Sequence, residues 1–381
     1  MNIYFFKKMK KIILKNRQKI YLKKTHKKAK LSNSFYSFRK IVIILFLILV
    51  DILISKKKHF PNTLHILQKE EPKDIKNIYN TSLNITEQLI KLKSEEKDEK
   101  YFACIVTTGK RENLYAKQFI DYYISIGFDK FILGDNNSPN TEKLSDVLQE
   151  YIKNKKVDII DIIGISMGPA EFFYHIYNSY KDRCEWFGFF DFDEYLEMHN
   201  EPGKNIDLKK YLSNPSFDKC ESIGFNWLMC PDNNLLHYDE RPLLERFPFP
   251  NYNDNANGYV KSMIRGKLDR IPFFPLKSSH RPEKNIKECD ANGNLITNYN
   301  PFGMNPNFEH AYLKHFNTKT AEEYVNKIKR GDLMNRDYDP MERIKCFFSH
   351  NKFTDEKLKI FEKAFNLILN RNDYKNLYNG N

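Results

Sequence analysis

Trp186-Phe187-Gly188-Phe189-Phe190-Asp191-Phe192-Asp193-Glu194-Tyr195 is an aromatic, apolar run that ends abruptly in three acids. Short continuous apolar runs of this kind predict a buried strand, here Trp186 to Phe190. Carboxylates at the carboxyl end of such a strand stand where open α/β sheets bind ligands. Asp191 and Asp193, two residues apart, reach one hard divalent cation from a turn. Mn²⁺ and Mg²⁺ favour such oxygen ligands, with substrate phosphates filling the remaining positions. The run therefore predicts a metal–diphosphate site. A second Asp-x-Asp, Asp337-Tyr338-Asp339, lies in a polar stretch before Pro340 and reads as a solvated loop.

Upstream of this run the pattern alternates. Phe102 to Thr107 predicts a strand, and Glu112 to Ile126 a helix, with Leu114, Phe119, Tyr122, Tyr123 and Ile126 at helical spacing and Gly127 as its cap. Lys130 to Leu133 is a second strand, 141–153 a helix, Val157 to Ile163 a third strand and Pro169 to Lys181 a helix. This βαβαβαβ order predicts a parallel sheet covered by helices. Downstream, Ile223 to Met229, Tyr259 to Ile264 and Ala311 to Phe316 read as strands. Thr320 to Arg330 reads as a helix with Thr320 and Glu323 at capping-box spacing, and Thr354 to Leu369 as a final helix.

The formal charge of the 381 residues is +13, yet residues 1–40 alone carry 14 Lys or Arg and no acid. Taking those 14 from +13 leaves −1 over the other 341 residues, so the body is nearly neutral. A nucleic-acid enzyme would carry its basic surface on the folded domain, so no nucleic-acid partner is expected. Instead the basic segment leads into an apolar stretch, 41–54, interrupted by Asp51 and closed by Lys56-Lys57-Lys58. Fourteen residues make about 21 Å of helix against a hydrocarbon core of roughly 30 Å. Phe35, Tyr36 and Phe38 extend it, and early secretory membranes are thinner. The expected organisation is a cytoplasmic tail (1–40), a single-pass type II signal anchor (41–54), a stem (55–99) and a luminal domain (100–381), in the secretory pathway and most simply the Golgi. Asn80-Thr81-Ser82 and Asn84-Ile85-Thr86 are glycosylation triplets in the stem. Six cysteines allow fifteen full pairings. Cys220 and Cys230 are the pair most readily bridged, and Cys104 reads as a small buried hydrophobe.

Further candidates sit at the same sheet edge. The first strand runs into Thr107-Thr108-Gly109-Lys110-Arg111-Glu112, a strand-to-helix loop suited to an anion or nucleotide. The second ends in Asp135-Asn136-Asn137-Ser138, which reads either as a base or ribose contact or as an Asx turn. His315, on the strand from Ala311, offers a neutral imidazole beside two carboxylates. His280 is a weaker candidate. No G-x-G-x-x-G, Walker A or G-x-S-x-G pattern occurs, which argues against NAD, P-loop and serine-hydrolase chemistry.

Taken in order, Cys104-Ile105-Val106, Arg111-Glu112, Tyr122-Tyr123, Gly127-Phe128, Asp135 to Ser138, Trp186 to Tyr195, Leu244-Glu245-Arg246-Phe247, His315 to Thr320 with Glu323, and Lys329-Arg330-Gly331 resemble the GT-A glycosyltransferases of the family 92 and related family 2 type. The resemblance spans roughly 101–332. It implies a GT-A fold and transfer of a sugar from a nucleotide-sugar, most simply a UDP-sugar, to a glycan acceptor. Asp191 and Asp193 would hold Mn²⁺ (or Mg²⁺) against the diphosphate, with His315 as third ligand. Thr107, Glu112 and Asp135 would line the nucleoside pocket. Thr107-Thr108-Gly109-Lys110 stands where the family pattern opens Arg-Asn-Glu. An inverting displacement needs a carboxylate base. Glu245 and Glu309 are candidates, and Glu245 reads equally as an ion pair for Arg246. Trp227, Tyr252 and Tyr259 offer faces for acceptor sugar, with core packing favoured for Trp227. Two rivals remain: a sugar nucleotidyltransferase, which would want a glycine-rich basic first loop, and a non-catalytic membrane-anchored binding protein of the same fold.

Overall fold

The computed structural model describes residues 84–92, 94, 99–163, 169–201, 204–268, 280–283, 285–297, 305–331 and 338–378. The expected tail and anchor, Asn80 and Asp337 lie outside them. Among the described residues no helix is long and apolar enough to cross a membrane.

Strands β1 (Tyr101–Gly109), β2 (Lys130–Asp135), β3 (Val157–Asp161) and β4 (Cys184–Gly188) alternate with α1 (Asn113–Ser125), the short α2 (Leu144–Val147) and α3 (Gln149–Lys153), and α4 (Pro169–Tyr180). They lie parallel in the order β3-β2-β1-β4. The side chains of β1 divide by parity, as a period-2 strand requires. Ala103 and Ile105 pack with Phe119 and Tyr123 of α1, whereas Cys104 and Val106 pack with Phe172, Phe173 and Ile176 of α4. Burial on both faces explains why these strands read as unbroken apolar runs.

Beyond β4 the sheet becomes mixed. It continues through β5 (Glu194–Glu201), β6 (Lys204–Asn205), β7 (Ser222–Met229), β8 (Val260–Arg265), β9 (Glu288–Cys289) and β10 (Ala311–His315). The order across the sheet is β3-β2-β1-β4-β8-β7-β10-β5-β6, with β9 beside β7. The expectation of a parallel sheet therefore holds for its first four strands. Between β5 and β9 lie α5 (Leu208–Leu212) and the one-turn α6 (Leu243–Arg246). Three C-terminal helices, α7 (Ala321–Arg330), α8 (Pro340–His350) and α9 (Asp355–Phe365), share a separate core of Tyr324, Ile344, Phe347, Phe348 and Phe361.

Several expectations need correction. Glu194 does not close the acidic run but begins β5, and β4 ends at Gly188 rather than Phe190. Asp339 is exposed and outside regular structure, as expected, and it has a further part: its Oδ1 accepts the Met341 amide at 3.0 Å and caps α8, with Pro340 in the first turn. Cys104 bridges to Cys184 and Cys220 to Cys289, while Cys230 is buried and free. Strand pairing decides these partners, since β7 places Ile223 opposite Cys289 and β1 lies beside β4. The stretch assigned to the stem contributes a helix over residues 84–92 whose Ile85 and Leu89 are buried in the core. Its Gln88 exchanges hydrogen bonds with the backbone of Asp161 (2.8 and 3.0 Å), covering the edge strand β3.

Candidate active site

The turn from β4 to β5 carries the acids. Glu194 N–H donates to the Asp191 carbonyl at 3.0 Å, and the Asp191 amide donates to Glu194 Oε2 at 2.8 Å. Between the acids Phe192 is buried, 5.0 Å from the ring of Phe119. On either side of it Asp191 is half-buried and Asp193 buried. Antiparallel pairing of β5 with β10 sets His315 opposite Glu194. As a result His315 Nε2 lies 3.6 Å from Asp193 Oδ1.

Cations crowd the same acids. Lys261 of β8, itself buried, sits 2.7 Å from Asp191 Oδ2 and 3.7 Å from Glu194 Oε2. Lys327 and Lys319 lie 3.3 and 3.8 Å from Asp193 Oδ2. Burial pushes the Asp193 carboxyl up, but Lys327, Lys319 and His315 outweigh it and hold it well below the usual range. Burial raises Glu194 to about 8 against the pull of Lys261. Burial lowers the His315 pKa despite Asp193, leaving a neutral imidazole whose buried Nδ1 has no hydrogen-bond partner among the described residues. One face of that ring meets Trp227 at 4.1 Å, and Trp227 stacks on Tyr259 at 5.0 Å. Trp227 is thus half-buried against the site. His280 stands by the same aromatics, its Nδ1 at 3.2 Å from the Val260 carbonyl, with burial lowering it to about 4.

The donor set suits a hard divalent ion at two positions. Two donors on one Mn²⁺ or Mg²⁺, each at roughly 2.1 Å, span at most about 4 Å, and the Asp193–His315 separation of 3.6 Å falls within that. Among the described residues no three His, Cys, Asp or Glu side chains are gathered into a ready cage. The carboxylate of Asp191 is held by Lys261, so it would join such a site only by leaving that ammonium.

The remaining predicted residues fall at the same sheet edge in different roles. Thr107 is fully buried, and its Oγ1 and that of Thr108 lack hydrogen-bond partners among the described residues. Glu112 pairs with Arg330 at 2.5 Å. Asp135 accepts the amides of Asn137 (2.8 Å) and Leu144 (2.9 Å), and Asn137 accepts the Arg111 amide at 2.5 Å. Of the two readings left open there, these hydrogen bonds are those of an Asx turn that secures the β1–α1 loop. Glu245 is exposed on α6, and the partner of Arg246 is Glu323, through hydrogen bonds of 2.8 and 3.0 Å. Glu309 is exposed, 3.1 Å from the Asn292 amide.

Sequence reasoning gave no role to Lys261, Lys319 or Lys327. For Lys327 a signal existed: Glu323, Lys327 and Arg330 share one stripe of α7 at i, i+4 and i+7 spacing. Each of the three meets a charged partner: Arg246, Asp193 and Glu112 in turn.

Residues 99–345 match the model of glycosyltransferase family 92. The chain belongs to that family. A family 92 protein of Oryza sativa subsp. japonica is 25% identical over 126 residues, which is 32% of this chain and 21% of that relative. The match therefore spans about a fifth of the relative's length. Among solved structures, S. aureus TarS is similar over 65% of this chain and 43% of its own, with 12% identity and a TM-score of 0.31. TarS 1-349 in complex with UDP is similar over 69% and 81%, with 12% identity and a TM-score of 0.30.

Proposed function

We propose that this family 92 chain is a metal-dependent, inverting glycosyltransferase of GT-A fold that moves a sugar from a UDP-sugar to a glycan or glycoconjugate acceptor. The observation that carries the reading is the placement of Asp193 Oδ1 and His315 Nε2 3.6 Å apart, on paired strands, two residues from Asp191. Family membership supports this class of reaction, and the site supplies residues suited to it.

Asp193 and His315 would hold Mn²⁺ or Mg²⁺, with Asp191 as the third donor. When bound, the ion neutralises the charge that builds on the departing diphosphate. Asp193 brings the ionised carboxylate, and His315 the neutral nitrogen that burial preserves. Trp227 and Tyr259 offer an aromatic wall beside His315 on which a sugar ring stacks. The proton-accepting carboxylate is assigned to Glu245, whose helix is anchored through Arg246 and Glu323 to the helix that carries Lys327. The bridges Cys104–Cys184 and Cys220–Cys289 suit the oxidising lumen that a type II anchor would give the domain, with the Golgi as the proposed location.

The test is UDP-sugar turnover by the full-length protein over a panel of donors, with and without Mn²⁺, beside Asp193→Ala and Glu245→Gln. Manganese-dependent turnover that Asp193→Ala abolishes, and that Glu245→Gln reduces in kcat, is expected. Absence of both turnover and metal-dependent UDP binding would instead favour a non-catalytic binding protein.

A further inference from the structure

Asp193 is one carboxylate shared by two ammoniums. Lys327 Nζ lies 3.3 Å and Lys319 Nζ 3.8 Å from the same Oδ2. Of the other acids close by, Glu112 is taken by Arg330 at 2.5 Å and Asp191 by Lys261 at 2.7 Å. The Lys319 side chain is only 6% exposed. Its contact with Asp193 is longer than a hydrogen bond, and its ammonium otherwise rests over the ring of Tyr115 at 4.4 Å. Lys319 also adopts φ +54°, in the left-handed region. Beside it, Thr318 buries a hydroxyl that has no hydrogen-bond partner among the described residues. Lys327 is partly accessible and is steered by the carbonyl and side-chain oxygens of Asn317, at 2.8 and 2.5 Å. Two ammoniums that converge on one oxygen of a buried carboxylate, beside an unpaired hydroxyl, make a pocket suited to a further anion.

We infer that Lys319 and Lys327 form a diphosphate seat that binds phosphate oxygens directly, and that Asp193 occupies it as a stand-in anion while the protein is free. The inference rests on the glycosyl-donor reading for the nucleoside but not for the diphosphate. It has two consequences. The seat binds diphosphate in the absence of any divalent cation. Asp193, a donor to the metal in the loaded site, competes with the diphosphate when metal is absent. The same residue thus acts in opposite directions in the two conditions.

The experiment is calorimetric binding of UDP and of inorganic pyrophosphate to the full-length protein, in EDTA and in Mn²⁺. Wild type is compared with Asp193→Asn, Lys327→Ala and Lys327→Arg, each checked by thermal melting. A charge-assisted hydrogen bond is worth about tenfold or more in affinity. In EDTA, Lys327→Ala should bind both probes about tenfold more weakly, Lys327→Arg close to wild type, and Asp193→Asn about tenfold more tightly. In Mn²⁺, Asp193→Asn should instead bind UDP more weakly. Equal binding by Lys327→Ala and wild type in EDTA would overturn the inference, as would weaker binding by Asp193→Asn in EDTA. UDP binding that needs Mn²⁺ throughout would leave the donor reading standing and remove the seat. Lysine-dependent binding of pyrophosphate without binding of UDP would keep the seat and remove the uridine donor.

Discussion

The Phe316 amide donates to the Asp193 carbonyl at 2.8 Å, continuing the β5–β10 pairing one step past the His315–Glu194 register. The backbones of Asp193 and His315 are thereby coupled, and side-chain chemistry can be altered without moving either strand. His315→Gln should retain the fold while raising the Mn²⁺ concentration needed for half-maximal turnover by about a hundredfold or more, since even outer-shell changes cost tenfold to a hundredfold. A Mn²⁺ titration of UDP-sugar turnover measures it. An unchanged midpoint would remove His315 from the metal set.

Gly109 ends β1 directly against the acidic turn. A Cβ there would meet Phe192 Cε2 at 2.9 Å and Leu144 Cδ1 at 3.4 Å. Gly109→Ala should therefore cost about 1–3 kcal/mol as overpacking. Because Phe192 separates Asp191 from Asp193, activity should fall further than stability does. Adding Phe192→Leu should restore part of both. Urea unfolding alongside turnover tests this, and an active, fully stable Gly109→Ala would refute the coupling.

Arg246 and Glu323 are buried, and Glu323 also accepts the Tyr115 hydroxyl at 2.5 Å. Arg246→Ala strands a buried carboxylate and should cost about 3–5 kcal/mol. Arg246→Met combined with Glu323→Gln should cost less than the sum of the two single changes, a coupling that a double-mutant cycle reads. Burial raises the pKa of Glu323, but Arg246, Tyr115 and Thr320 bring it below the ordinary glutamate value. Its stabilisation is thus present above that ordinary value and lost as pH falls through the depressed one. Urea midpoints of wild type and Glu323→Gln, apart at neutral pH, should converge at strongly acidic pH.

His350 Nδ1 lies 2.7 Å from Asp254 Oδ2. Burial pulls its pKa down, but Asp254 and Cys346 raise it to about 9 from an ordinary 6.5. The stabilisation, up to about 3 kcal/mol, should be complete below pH 6.5 and lost as pH rises through about 9. Stability curves of wild type and His350→Gln should approach each other across that window. Parallel curves would show that the pair carries no such linkage.

The first half of the fold was legible because local pattern and tertiary role agree there. Ala103 to Val106 are buried on both sides, so an apolar run could only be an internal strand. Gly127 takes φ +105° where the helical spacing stops. The capping box at Thr320 and Glu323 also formed as its spacing suggests. What was hidden depends on pairing at long range. Glu194 carries an acid's sequence signal yet begins a strand, because β10 supplies its partner 121 residues later, at His315. Cys220 lies ten positions from Cys230, but β7–β9 pairing brings it to Cys289 instead. Lys261 looks like an ordinary surface lysine until β8 is placed beside β4 and its ammonium falls on Asp191. The acids of the site announce themselves in sequence because an apolar strand frames them, whereas the lysines have no such frame.

The Cys104–Cys184 bridge closes a ring of 80 residues that contains β2, β3 and helices α1 to α4. By chain-entropy reasoning a ring of that size restricts the unfolded chain by about 4–5 kcal/mol. The order along the chain matters too. Both cysteines precede Asp191, Lys261, Lys319 and His315 in the chain, so the ring lies wholly upstream of the residues that meet at the acids. The later strands extend the sheet outward from the edge at β4. Errors in their register would leave that half intact but without a working centre, a failure visible in activity and silent in the bridge.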